Sequence, residues 1–190
     1  VPVGGARLAP PDVRWHRSVF EALKEYHAAG EHEELPLEAL ADPAEFLRYV
    51  TALLDDAARP GALARYLEAL TGSPTPDRPR DGYVPQTILW WVEDDEFLGR
   101  LSIRHRLTRE LLHEGGNIGY EVRPRARRRG CATAMLAAAL PIAAALGIDE
   151  ALLDCEVGNI ASRRVIEKNG GRLDRREGHT LFFLVPTGGT

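Results

Sequence analysis

The chain is poor in cysteine, in methionine, in aromatic residues and in long apolar runs, and these shortages exclude several kinds of protein. Two cysteines in 190 residues, Cys131 and Cys155, argue against a disulfide framework or a metal cluster, and both fall in stretches that read as buried. The most apolar stretch, 131–146, is too short to span a bilayer and is interrupted by Pro141. No membrane span is therefore expected. A basic start, apolar core and small-residue cleavage site are all missing at the N-terminus, which makes the cytoplasm the expected compartment. An excess of positive charge is missing too. The 24 basic and 28 acidic residues give a net charge of −4, which argues against a surface built to hold nucleic acid or anionic lipid. Any anion site must be local.

What is present suffices for one sizeable core, since 44% of the residues are hydrophobic. The expectation is a single domain over 1–190, with a helical front at 1–82 and a strand-rich rear at 83–190. In the front a short strand is expected around 3–9, with helices over 13–29, 42–57 and from Pro60-Gly61 to about Leu70. Val13, Val19, Phe20, Leu23 and Tyr26 carry the helical spacing before Gly30, while Asp42-Pro43 offers an N-cap and a first-turn proline. Residues 71–85, with Pro74, Pro76 and Pro79, read as a loop. In the rear, 87–92 and 97–103 form a hairpin about the acidic turn Glu93-Asp94-Asp95-Glu96. A strand over 117–122 leads to Pro124 and a long helix from Gly130. A strand at 151–157, a helix at 159–168 and a hairpin over 172–185 complete an α/β fold with a mixed sheet.

One segment carries the chemistry: Val122-Arg123-Pro124-Arg125-Ala126-Arg127-Arg128-Arg129-Gly130-Cys131-Ala132-Thr133. A strand ends at a proline, the chain turns through arginines, and a glycine opens an Ala-rich helix. Free amides at a helix start, with the helix dipole behind them, bind anions, and Gly130 lets the backbone approach a ligand closely. Neighbouring arginines add charge-assisted bonds to phosphate oxygens. A pyrophosphate fits this arrangement. In isolation the five arginines would serve equally well as a solvated or nucleic-acid-binding patch. The glycine-opened helix behind them, in an acidic chain, favours the phosphate reading.

These residues resemble the GNAT N-acetyltransferase superfamily. Its pyrophosphate loop reads Gln/Arg-x-x-Gly-x-Gly/Ala after a Val-x-Pro strand end, here Arg127 to Ala132 after Val122-Arg123-Pro124. A second segment, Asn159-Ile160-Ala161-Ser162 running to Glu167-Lys168-Asn169-Gly170, is similar to the family's Asn-x-x-Ser…Glu-Lys-x-Gly-Phe helix. The likeness covers about 86–185, and its wording resembles most the ribosomal-protein N-acetyltransferase-like subgroup of bacterial members. It implies a GNAT fold in which strands 119–123 and 152–157 are splayed parallel neighbours, with extra N-terminal helices on the acceptor side. Acetyl-CoA is then the co-substrate, with no metal. Its pyrophosphate would lie against Arg123, Arg127, Arg128, Arg129, Gly130, Cys131, Ala132 and Thr133, and its pantetheine arm beside Val122, Asn159 and Ser162. A backbone N–H near Val122 would polarise the thioester carbonyl.

The family's direct attack by an amine in a ternary complex requires a base and a partner for the thiolate. Glu121 and Asp154 are the candidate bases, with His105 next; a structural or surface role accounts for either carboxylate equally well, and a polar strand-end role accounts for His105 better. The usual family tyrosine in the last helix is here Ile166, which cannot donate a proton. Ser162, four residues earlier and so on roughly the same face, becomes the candidate partner of the thiolate, with water as the alternative. Gly171 replaces the usual Phe, removing an aromatic anchor, and Pro141 should kink the long helix.

The acceptor is an amine, on a small molecule or a peptide or protein N-terminus. Residues 21–45 hold eight carboxylates against Lys24, suited to a cationic amine or to a solvated helix face. Of Trp90 and Trp91, strand alternation should bury one. Two rival readings stay open: a non-catalytic acyl-CoA-binding module, and a nucleic-acid-binding module. A second copy of the chain also stays open as a partner.

Overall fold

The structure is a computed structural model that describes residues 5–72 and 83–188. Strand β1 (Arg7–Ala9) leads to Asp12, whose carboxylate accepts from Arg14 N and starts a tight turn, Val13–Trp15, that continues as helix α1 (His16–Ala28). Val19, Ala22, Leu23 and Tyr26 form its buried stripe. A one-turn helix that the sequence did not announce, α2 (Leu37–Leu40), precedes α3 (Pro43–Asp55). Asp42 caps α3 through the amides of Ala44 and Glu45, as the Asp-Pro pair predicts. Helix α4 (Ala62–Thr71) follows. The strand expected from residue 3 begins only at Arg7, residues 1–4 lying outside the described residues, as do 73–82 of the expected loop.

Strands β2 (Gln86–Glu93), β3 (Glu96–Arg104) and β4 (Ile118–Val122) join β1 in an antiparallel sheet of order β1-β2-β3-β4, and a short helix α5 (Arg109–His113) links β3 to β4. After β4 come α6 (Cys131–Ala145), β5 (Glu150–Glu156), α7 (Ile160–Lys168), β6 (Arg172–Glu177) and β7 (Thr180–Pro186). The last three strands form a second sheet of order β5-β7-β6. Helix α6 continues as one element through Pro141.

The first sheet is covered on both faces, which corrects the expectation for the tryptophan pair. Trp90 packs with α1, α3 and Phe97, whereas Trp91 joins the core beneath α6, so both are buried, at 1% and 4% exposure. Alternation predicts one buried tryptophan only where one face meets water. No helix among the described residues is long and apolar enough to cross a membrane.

The two sheets are pinned together at the start of β4. Asn117 N donates to the Leu152 carbonyl at 2.6 Å, and Asn117 Oδ1 accepts from Leu152 N at 2.9 Å. No ladder continues between β4 and β5 among the described residues. Gly116, with φ +52, passes so close to the Leu152 carbonyl that no side chain could replace its hydrogen. Because Asn117 is buried and also donates to the Arg104 carbonyl, Asn117→Ala should leave a buried N–H unpaired. We expect a loss of about 1–3 kcal/mol in chemical denaturation; unchanged stability would show that water replaces the amide.

Candidate active site

The site is organised by the geometry of β4. Arg123 N donates to the Leu98 carbonyl at 2.9 Å, so backbone alternation turns the N–H and C=O of Val122 away from β3, toward the side on which β4 has no ladder partner. The Val122 carbonyl accepts from Arg127 Nε at 3.0 Å. Side chains alternate as well. Glu121 lies on the face covered by the front helices, and Tyr120 packs against the core beneath α6.

A cavity of about 730 Å³ opens beside this edge, bounded by β4, the 127–133 segment and α7. At one end lie Arg127, Arg128, Gly130, Cys131, Ala132 and Thr133. Gly130 adopts φ +83, a left-handed conformation that places the first-turn amides of α6 at the cavity wall, and Ala134 N makes the first helical bond, to Gly130 O. Arg128 is also left-handed, at φ 61. Val122, Asn159 and Ser162 line the cavity as well, with Asn159 Oδ1 capping α7 through Ser162 N at 3.0 Å.

The sequence groups all five arginines, but the structure separates them. Arg123, 1% exposed in its side chain, turns inward to Glu25 at 2.8 Å and does not line the cavity. Arg125 pairs with Glu96 at 2.7 Å, and Arg127 with Glu31 at 2.5 Å. Arg128 and Arg129 make no carboxylate contact among the described residues, and Arg129 is exposed at the rim rather than in the lining. Two carboxylates of the acidic 21–45 stretch, Glu25 and Glu31, are counter-charges of the arginine run. Glu31 is held below the ordinary carboxylate range chiefly by its hydrogen bond from Arg127.

Glu121 sits where two cavities meet. Like Tyr120, it lines the large one and a second, of about 290 Å³, formed with Leu63, Gln86, Ile88, Arg100, Ser102 and Arg104. Arg100 Nε lies 2.5 Å from one carboxylate oxygen and His32 Nε2 contacts the other. Burial pushes the Glu121 carboxyl up, but the Arg100 charge and the His32 hydrogen bond outweigh it and hold the group below its ordinary 4.5. The hydrogen bond to Glu121 raises His32 above its ordinary 6.5, against burial. His32 Nδ1 faces Glu34 at 3.3 Å, so each ring nitrogen meets a carboxylate, an arrangement that stabilises the imidazolium. His32 has φ 56, a left-handed conformation of the kind that gathers at functional sites. The Tyr26 ring stands edge-on to it, and the buried Tyr26 hydroxyl has no hydrogen-bond partner among the described residues.

On the other face, Tyr120 OH and Ser162 Oγ are 2.9 Å apart, and both residues line the large cavity. Burial pushes the Tyr120 phenol up to about 12, against the lowering effect of its Ser162 hydrogen bond. Ile166, at the position of the family's usual tyrosine, is fully buried and not in the lining. A side chain at Gly171 would strike it, so the two departures from the family pattern are one packing solution: Ile166 fills the room that Gly171 leaves.

Asp154 does not join this group. It accepts from Gly115 N at 3.1 Å, bracing the turn before β4, and lines neither cavity. His105 bonds Thr87 Oγ1 at 2.8 Å, and burial lowers it. Sequence reasoning missed His32, Arg100 and Tyr120. Tyr120 adjoins Glu121 in the sequence, but all three contacts depend on tertiary folding.

A family model for the acetyltransferase (GNAT) domain matches residues 21–172. A search of curated proteins returns no match. Among solved structures, the chain is similar to Mycobacterium smegmatis RimJ in complex with CoA disulfide, with a TM-score of 0.61 and 20% identity over 98% of this chain and 84% of that one. It is also similar to a Salmonella typhimurium acetyl transferase that modifies the N-terminal serine of a 50S ribosomal subunit protein, with a TM-score of 0.57 and 14% identity over 97% and 96% of the two chains. The yncA protein of the same organism, with its cofactor acetyl-CoA, gives a TM-score of 0.56 at 14% identity over 97% and 95%. At these identities the likeness is one of fold.

Proposed function

The chain belongs to the GNAT acetyltransferase domain family, and we propose that, as a single domain acting in the cytoplasm, it transfers the acetyl group of acetyl-CoA to a primary amine by direct attack. One observation carries this reading: a single cavity runs between an anion-binding helix start at Gly130 and the Glu121, Tyr120 and Ser162 side chains. The residues fit the CoA thioester. Arg127, Arg128, Arg129 and the amides of Cys131, Ala132 and Thr133 would hold its pyrophosphate, with Arg127 exchanging Glu31 for phosphate oxygens. Asn159 and the unpaired edge of β4 would take the pantetheine amides. The Val122 N–H would polarise the thioester carbonyl as charge develops on it.

The acceptor enters from the smaller cavity, on the Glu121 face. An aliphatic ammonium must lose a proton before it can attack. Glu121 receives and orients it, and His32, hydrogen-bonded to Glu121, takes the proton. Ser162, across β4, donates a hydrogen bond to the departing sulfur. Asp154, engaged with Gly115, is set aside as a base. The acceptor class is a peptide or protein N-terminus, of the kind that the Salmonella enzyme modifies, or a small-molecule amine.

The test is a panel of peptide N-termini and small amines, incubated with acetyl-CoA and read by release of free thiol. Turnover with any amine supports the reading; acetyl-CoA binding without turnover across the panel would favour a non-catalytic acyl-CoA-binding module. A separate expectation concerns Gly130→Asp. It adds a charge beside the phosphates and a side chain at φ +83 and should weaken acetyl-CoA binding by about tenfold or more, since juxtaposed like charges at a binding site cost several kcal/mol. Parental affinity in the folded variant, measured by calorimetry, would remove Gly130 from the phosphate site.

A further inference from the structure

We propose that Tyr120 aims the Ser162 hydroxyl at the departing CoA sulfur. The inference rests on the acetyl-transfer reading and concerns the residue behind Ser162. A serine hydroxyl has one proton to donate, and it stabilises a thiolate only if that proton points at the sulfur. Ser162 Oγ has the Tyr120 hydroxyl 2.9 Å away, and the same phenol lies 3.4 Å from the Ser162 carbonyl. Where Tyr120 donates to Ser162 Oγ, the serine proton is free to point into the cavity that both residues line. Burial raises the phenol to about 12, so it keeps its proton at neutral pH and stays a donor.

Adjacent positions on β4 divide the reaction between the faces of the strand. Glu121 meets the amine on one face, and Tyr120 reaches Ser162 on the other. In the transfer the ammonium first gives one proton to His32, the nitrogen–carbon bond then forms, the carbon–sulfur bond breaks with its electron pair on sulfur, and the second proton that the nitrogen sheds as the amide forms passes to solvent. The thiolate accepts the Ser162 hydrogen bond and is protonated afterwards by solvent. Tyr120 is thus a positioning residue, and it compensates for Ile166, whose side chain packs against Gly171 instead of lining the cavity.

The experiment uses the full chain, free CoA and no acceptor. The thiol of bound CoA is titrated by the ultraviolet absorbance of its thiolate, with CoA affinity measured in parallel. In the parent, the bound thiol should titrate below free CoA. Tyr120→Phe, which removes only the hydroxyl, should raise it by about one pH unit. Ser162→Ala should raise it by a similar amount, and the double variant no further, since the two act as one unit. CoA affinity near neutral pH, where the bound ligand is chiefly the thiol, should change by a few-fold at most. Bound CoA that titrates identically in the parent and in Tyr120→Phe overturns the inference while leaving the acetyl-transfer reading intact. A parent protein that binds no CoA overturns both.

Discussion

Arg123→Ala should cost about 2–5 kcal/mol of folding stability, because it empties a fully buried site, removes the guanidinium that donates to the Phe97 carbonyl and leaves Glu25 with only Arg125. The Arg123 guanidinium reaches Glu25 through Nε at 3.0 Å and Nη2 at 2.8 Å, Ser18 Oγ and the Phe97 carbonyl through Nη1 at 3.2 Å each. It ties α1 to the β3 and β4 strands that carry the site. Burial pushes the Glu25 carboxyl up, but bonds from Arg123 and Arg125 and their charges hold it below its ordinary 4.5. A depressed carboxyl contributes its full stability above the unfolded value and loses it as pH falls through the folded one. The parent should therefore shed this part only below about pH 4.5, and Arg123→Ala should be flatter there. Arg123→Met combined with Glu25→Leu should recover much of the loss, since an apolar pair can replace a buried ion pair. Denaturant midpoints decide it: an Arg123→Ala midpoint equal to the parent's would show that the ion pair contributes nothing.

Arg123 also shows where reading by sequence stops. The arginine run, the glycine-opened helix and the Asn-capped helix were all legible, because local residue types dictate turn, cap and helix start. Which arginine faces the cavity was not. Arg123 and Arg127 differ only in the direction the backbone gives them: one follows the pleat of β4 inward to Glu25, the other lies past the turn, on the cavity wall. The acidic stretch was ambiguous for the same reason, since Glu25 and Glu31 meet their partners across 98 and 96 residues of chain. The strands and long helices were legible from periodicity and caps, but α2 and α5, of four and five residues, are too short to carry a period. Ser162 and Glu121 were both singled out, yet their partners Tyr120 and His32 required the fold. His32 is a loop residue bonded to Glu121 over 89 positions, and nothing near it in the sequence distinguishes it from the other five histidines.

His32 carries the other large expectation. Glu121→Gln should lower kcat/KM by about 10²-fold or more, the usual worth of a general-base proton transfer, here the one that Glu121 sets up between the ammonium and His32, and should also move the pH profile. In the parent only neutral His32 can take the ammonium proton. Its pKa is raised above 6.5 first by the hydrogen bond to Glu121, so kcat/KM should climb with pH through an acid limb above that value. The amide variant removes the carboxylate, and burial, which lowers His32, remains. The limb should then move to lower pH even as the rate falls. His32→Ala should remove the limb altogether. A different pattern identifies a different base: if Glu121 itself accepted the proton, its own pKa, held below 4.5, would place the parent's acid limb in the carboxylate range. Circular dichroism and denaturant midpoints separate these effects from misfolding, since Glu121→Gln also leaves Arg100 without its carboxylate. Near-parental kcat/KM in both Glu121→Gln and His32→Ala, measured where acetyl transfer limits the rate, would exclude the pair and leave proton transfer to solvent.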